Sequence, residues 1–250
     1  MVLSLPAQPR RETDAERIGD GADDFDFSGL GASASALQGT ALGAQKGELA
    51  GESLAVVGTL GNGTSMNWAV LATPAVLNGY VSANDFIGDS VLSGGGTVQV
   101  ASLTALGTGS ITINAATLQA TTSLSYSGKN FILGNSASTL TVASADTFTL
   151  TNSGSTLVSG SGKLNANVAG ILILDDSLNA NTFSGGSVLS GGGTVKINST
   201  TSLGDQTTGA AALKDITLQA TADINTSRNF TLGSAAARIA VDSTKTFTLS

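Results

Sequence analysis

The nonapeptide SVLSGGGTV occupies residues 90–98 and stands again, letter for letter, at residues 187–195. Three glycines between two short apolar stretches read as a strand, a tight turn and the start of the next strand. On that reading Val91 and Leu92 pack inward, Gly94 to Gly96 take backbone angles closed to residues with a side chain, and Thr97 and Val98 resume the sheet. Glycine-rich turns also cradle phosphate. This one lacks the following helix and the Lys-Ser/Thr pair of a P-loop, so the structural reading is preferred.

The duplication extends outward from the nonapeptide. Upstream, NDFIG at residues 84–88 faces NTFSG at 181–185, and Thr59-Leu60 faces Thr156-Leu157. Downstream, TLQAT at 117–121 returns at 217–221, KNFILG at 129–134 returns as RNFTLG at 228–233, and TFTL at 147–150 returns at 246–249. The offsets are 97, 100 and 99 residues, so small insertions and deletions separate the copies. The chain is thus about two copies of a unit of nearly 100 residues, and it stops inside a further part-copy.

Within each unit the signal is alternation. Ile111-Thr112-Ile113-Asn114, Thr139-Leu140-Thr141-Val142, Thr147-Phe148-Thr149-Leu150, Ile171-Leu172-Ile173-Leu174, Thr194-Val195-Lys196-Ile197 and Ile216-Thr217-Leu218-Gln219 are short strands, most with one apolar and one polar face. Gly, Asn, Asp or Ser pairs separate them, and no helical period runs over ten or more positions. Short strands with recurrent turns over a long repeat predict an all-β fold, a right-handed parallel β-helix in which stacked rungs bury their inner faces against one another. Each unit should hold four or five rungs of roughly 20–25 residues.

Composition excludes several classes. Of the 250 residues only 12% are charged and 4% aromatic, unlike an average globular enzyme. Zero Cys and zero His remove Ser-His-Asp and Cys-His catalysis, the usual zinc ligands and any disulfide-stapled fold. A net charge of -7 without a basic patch argues against nucleic acid as a partner. No apolar run reaches the roughly 18 residues of a membrane span. The opening MVLSLPAQPRRETDAER places its arginines after a short apolar patch and does not read as a signal peptide.

Charge also divides the chain. Residues 1–60 carry 13 of the 29 charged side chains, and every Glu falls at or before Glu52. Residues 1–55, acidic and Gly/Ala-rich, read as a linker, an irregular cap or a disordered arm, and residues 56–250 as the β-solenoid.

The second copy carries a spaced pattern of Gly160, Gly162, Leu164, Gly170, Leu172, Leu174, Asn181, Thr182, Phe183, Gly185, Gly186, Gly193, Thr194 and Val195. That pattern resembles the autotransporter-associated β-strand repeat of large bacterial surface proteins. The first copy keeps Gly63, Leu77, Asn84, Phe86, Gly88, Gly96, Thr97 and Val98, and the whole resemblance runs over residues 58–250. Extra residues around Asp175 to Asn179 depart from the family pattern and lengthen a turn. The resemblance implies a secreted passenger region, carried outside a Gram-negative outer membrane by a C-terminal β-barrel, and a chain that is a fragment of a longer protein.

Several polar and aromatic residues admit both a functional and a plain structural role. The acidic stretch GDGADDFDF at residues 19–27, centred on Asp23, is similar to one turn of a calcium-binding nonapeptide repeat. A single copy supplies no neighbouring turn, so a solvated linker is preferred. Asp175-Asp176 could be half of a glycan-cleaving carboxylate pair, but a turn-forming Asp pair is favoured. Lys129 and Arg228 hold the same repeat position and are expected at a solvated rung edge, where a cation discourages edge pairing. Phe86, Phe131, Phe148, Phe183, Phe230 and Phe247 recur in register and are expected to stack in the core. Trp68 and Tyr80, without aromatic counterparts, are expected to cap the start of the solenoid.

The function expected is a non-enzymatic structural or adhesive passenger segment, a rod that meets host, matrix or cell-surface glycans or proteins. No catalytic residue, cofactor or metal is assigned. The alternatives are a carbohydrate-active β-helix enzyme and a self-associating extracellular scaffold.

Overall fold

The computed structural model describes residues 89–151 and 157–250, with only the backbone of Leu103 and Thr104, and, upstream, the backbones of five strands between Ala36 and Asn78. The described chain is an all-β solenoid of about seven turns. Every strand pairing is parallel. Among the described residues no helix is long and apolar enough to cross a membrane.

Three sheets form the sides. Sheet A stacks ten strands: Ala36–Leu37, Ala55–Val57, Ala75–Asn78, Thr97–Val100, Thr117–Ala120, Thr139–Val142, Leu164–Val168, Ser187–Ser190, Ala211–Lys214 and Phe230–Leu232. Sheet B stacks Gln45–Leu49, Ser65–Val70, Asp89–Ser93, Ile111–Ile113, Phe131–Leu133 and Val158–Ser159. Sheet C begins at Leu124–Ser127 and continues through Thr147–Thr151, Ile171–Asp175, Thr194–Ile197, Thr217–Ala220 and Arg238–Val241. From Thr97 onward, successive strands of sheet A begin 19 to 25 residues apart, which is the length of one rung. A two-stranded sheet D, Ile224–Thr226 with Phe247–Leu249, completes the last turns.

Alternation places the core. In Thr139–Val142 the side chains of Leu140 and Val142 are buried and the threonines half-buried, and Thr117–Ala120, Thr147–Thr151 and Thr217–Ala220 repeat that pattern. The inward side chains of all sides merge into one apolar column that includes Leu118, Leu140, Phe148, Leu172, Val195 and Leu218. Burial of an aliphatic side chain of this kind contributes about 1.5–3 kcal/mol. A rung gains it in full only when rungs above and below cover it.

The repeated nonapeptide is a strand, a corner and a strand. Two details differ from the expectation. Val91 does not pack inward with Leu92: the inward residues are Ser90 and Leu92 in the first copy, Ser187 and Leu189 in the second. Successive side chains of a strand point to opposite sides, so adjacent residues cannot share the core. Of the three glycines, only two take left-handed angles, with φ of 92° and 83° at Gly94 and Gly95 and 109° and 82° at Gly191 and Gly192. The third glycine answers to crowding. A Cβ on Gly193 would run into the carbonyl oxygens of Gly170 and Val168 in the preceding rung, the latter already accepting a hydrogen bond from Gly193 N at 2.8 Å.

The repeat is out of step with the solenoid. Residues 90–93 lie in sheet B, yet their copy Ser187–Ser190 lies in sheet A. Thr97–Val100 is in sheet A and its copy Thr194–Ile197 in sheet C, while Leu124–Ser127 is in sheet C and its copy Ile224–Thr226 in sheet D. Sheet D continues the side of sheet B. Thr182 N donates to Val158 O at 2.8 Å, Asp205 N donates to Phe183 O at 2.9 Å, and Thr226 Oγ1 donates to Gln206 Oε1 at 3.4 Å, one rung upon the next. Every duplicated segment therefore moves on by one side. From Thr97 to its copy Thr194 the chain passes sheet A again at Thr117, Thr139, Leu164 and Ser187, four full turns, and then completes one third of another.

The corner glycines give the first prediction. At Gly192, where φ is positive and nothing lies within 4 Å of a new Cβ, alanine adds only left-handed strain, so Gly192→Ala should cost about 1–2 kcal/mol. Gly193→Ala must displace backbone and should cost about 3 kcal/mol or more. Urea midpoints of the two variants measure the difference; equal losses would refute the close-approach account.

Candidate functional site

The densest polar cluster among the described residues surrounds Asp176. The strand Ile171–Asp175 ends one residue before it, and Asp176, only 4% exposed, turns back under the following rung. Ser199 Oγ lies 2.7 and 2.8 Å from its two carboxylate oxygens, Thr201 Oγ1 donates at 2.6 Å and Ser202 Oγ at 2.7 Å. Asn198 closes the corner: its Nδ2 donates to Asp175 Oδ1 at 2.5 Å and its Oδ1 accepts from Asp176 N at 3.2 Å. The buried Asn181 continues the network, accepting from Val158 N at 2.9 Å and donating to Ser202 O at 3.0 Å.

This cage belongs to the second copy alone. At the offset of 97 residues, Gly79 stands for Asp176 and Ala105 for Ser202. Ala105 and Ser202 are both fully buried, so the second copy holds a buried hydroxyl donor where the first holds a methyl group. A buried charge with three hydroxyl donors is well satisfied, and removing either side leaves the other stranded. Asp175 Oδ1 also accepts from Ser177 N at 3.2 Å, which makes the pair a turn device, as its sequence position predicted. Its chemistry is to pin one rung to the next. Among the described residues no group of three His, Cys, Asp or Glu side chains could hold a metal ion.

The paired cations correct the reading of a solvated rung edge. Lys129 and Arg228 are each only 4% exposed. Lys129 Nζ donates to Gly107 O and lies 5.3 Å from the Tyr126 ring centre, and Arg228 donates to Gly204 O at 2.6 Å and to Gly209 O. Gly107 and Gly204 are themselves copies, so the repeat preserves a cation folded over one corner carbonyl. Sequence shows the charge and not the carbonyl that draws it in. Burial pushes the Lys129 ammonium down to about 8 and lowers the Arg228 guanidinium as well.

Duplicated serines were also missed by sequence reasoning. Ser90 Oγ donates to Leu106 O at 3.2 Å and Ser187 Oγ to Leu203 O at 3.3 Å, the same bond 97 residues apart. The signal for it was the Ser two positions before Leu in both nonapeptides, at the spacing that shares a face. Exposed acids serve the corners: hydrogen bonds from Thr207 hold Asp205 below the ordinary carboxylate range, and those from Thr246 in the following rung do the same for Asp223.

The aromatic residues stack inside, as expected, wherever they are described. Phe131, Phe148 and Phe183 are fully buried, with Tyr126, Phe131 and Phe148 meeting edge to face at 6.2 and 6.4 Å. Phe230 and Phe247, 5.8 Å apart, are half-buried in the last rungs. Phe86, Tyr80, the side chain of Trp68 and the acidic stretch around Asp23 lie outside the described residues.

Comparison of the chain with protein-family models, with curated proteins and with solved structures finds no match.

Two predictions follow from these buried charges. Asp176→Ala should cost about 2–3 kcal/mol, whereas Asp176→Gly combined with Ser202→Ala, the pair found in the first copy, should cost less than the sum of its singles. A double-mutant cycle from urea unfolding reads the coupling, and strict additivity would refute the cage. For Lys129, the folded ammonium titrates near 8 and the unfolded one near its ordinary 10.5, so the folded chain binds fewer protons between those values. Stability should climb from pH 8 towards pH 10 and fall as pH returns to 8. Lys129→Met should flatten that climb in urea midpoints taken across the range.

Proposed function

We propose that this chain is a non-enzymatic structural or adhesive rod, a passenger-type segment of a bacterial cell-surface protein. The observation that carries the reading is the one-third-turn offset between repeat and solenoid. What recurs between copies is inward or conformational: core aliphatics, corner glycines, and the serines and cations that satisfy corner carbonyls. What recurs on the outside, such as Gln119 and its copy Gln219, stands on different sides. A ligand array along one face would require repeats in phase with the turns, whereas a rod requires only that every rung accept the next. At about 4.8 Å per strand spacing, seven turns give roughly 30 Å of length.

An outward surface of Thr, Ser, Asn and Gln, with a net charge of -7 over the chain, offers hydrogen bonding without a strong field. That suits contacts with glycans or proteins of a host, a matrix or a neighbouring cell, and disfavours nucleic acid. The resemblance to autotransporter-associated repeats supports a location outside the outer membrane. A carbohydrate-cleaving role is the weaker reading, because the adjacent acids Asp175 and Asp176 are occupied in binding one rung to the next.

Protease treatment of intact cells tests the proposal. Peptides from residues 159–250, followed by mass spectrometry, should disappear under proteinase K while cytosolic markers survive. Their persistence until the cells are lysed would remove the surface location and leave an internal scaffold.

A further inference from the structure

The last rung carries a surface whose fitting partner is displayed elsewhere in the same chain. Its inward side chains are Phe230, Leu232, Ile239, Val241, Phe247 and Leu249. Leu232, Val241 and Leu249 are 57%, 41% and 58% exposed, and the other three are half-buried. Their counterparts in the first copy are Phe131, Leu133, Leu140, Val142, Phe148 and Leu150, all at most 1% exposed. The difference is the next rung. Phe131 is paired by Val158, Leu140 and Val142 by Ala166 and Val168, and Phe148 and Leu150 by Leu172 and Leu174.

The backbone of the last rung has the form of its covered counterpart. Thr244 has φ of 67° where Ala145 has 68°. Gly233 N donates to Leu213 O as Gly134 N does to Ile113 O, Ala237 N to Ser234 O as Ser138 N does to Asn135 O, and Lys245 N to Asp242 O as Asp146 N does to Ala143 O. The carbonyls that meet the covering rung are therefore in place. In the first copy those carbonyls dictate three glycines. A Cβ on Gly160 would strike Leu133 O, one on Gly162 would strike Asn135 O and Leu133 O, and one on Gly170 would strike Asp146 O and Ala143 O.

From this correspondence we propose that the rung formed by residues 230–249 is a docking surface for one further parallel β-rung of the type of residues 157–175. The occupant is defined by its chemistry: glycines at the positions of Gly160, Gly162 and Gly170, where the last rung's carbonyls of Leu232, Ser234, Asp242 and Lys245 approach, and small or aliphatic residues at those of Val158, Ala166, Val168, Leu172 and Leu174. An apolar segment without the three glycines cannot descend to hydrogen-bonding distance. The inference rests on the duplicated geometry and is independent of where the protein acts.

The test joins a second copy of residues 152–176 to the full chain after Ser250, which continues the register because Leu249 and Ser250 are the copies of Leu150 and Thr151. Hydrogen exchange of the amides in residues 230–249 is compared in the unextended chain, the extended chain, and an extended chain whose added segment carries Gly160→Ala, Gly162→Ala and Gly170→Ala. The intact addition should slow exchange at least tenfold and raise Tm, and the triply substituted addition should do neither. Equal protection by both, or by neither, overturns the proposal. So does protection in the unextended chain that grows with protein concentration, which would assign the surface to a second copy of the molecule.

Discussion

A rung of a parallel solenoid cannot satisfy its own backbone. Its N–H and C=O groups point along the stack, up and down, and each must be met by the rung before or after it at one strand spacing. The rest of the structure depends on that constraint. It fixes the approach of successive backbones, and so demands glycine wherever a corner brings carbonyls under a Cα, as at Gly170 and Gly193. It also leaves corner carbonyls facing places where no strand follows. The buried hydroxyls of Ser90 and Ser187, and the cations Lys129 and Arg228, are among the side chains that meet them.

Much of this was legible in the sequence, for identifiable reasons. The duplicated SVLSGGGTV marked a strand, a corner and a strand because two left-handed residues in succession are open almost only to glycine. The register of Phe131 with Phe230 and Phe148 with Phe247 marked the core, since inward aromatics must be replaced by something as large. The Asp175-Asp176 turn was legible from its residue types. Val91 was misplaced because two adjacent apolar residues look alike in text, and only the alternation around them says which faces in. Lys129 and Arg228 were misplaced for a deeper reason: the partner of each is a backbone carbonyl, and a carbonyl has no letter. The Asp176 cage was hidden in the same way, because its three hydroxyl donors lie 23 to 26 residues on, a distance set by the length of a rung.

The fractional phase of the repeat was also beyond the sequence. A unit of nearly 100 residues divided by rungs of 19 to 25 gives four or five turns, but the corners vary in length and absorb the remainder. Which side a copied strand reaches is decided by the sum of those corners. The structure gives four turns and a third. A segment such as TLQA can serve on sheet A at residues 117–120 and on sheet C at 217–220 because both sites ask the same of it: Leu and Ala inward, Thr and Gln outward, a parallel neighbour on each side.

That interchangeability bears on where function can reside. A ligand site repeated along one face needs copies in phase with the turns, and a copy displaced by a third of a turn meets different neighbours. The displaced copies instead keep their inward residues and corners, which are the features that every side needs. The differences between copies are then the informative positions. Asp176 and Ser202, which stand where the first copy has Gly79 and Ala105, add a polar anchor at one corner of the second copy, beside Leu178, 65% exposed. A feature of this kind, tied to one rung and rigidly held, is how a solenoid built from alike sides acquires an individual surface.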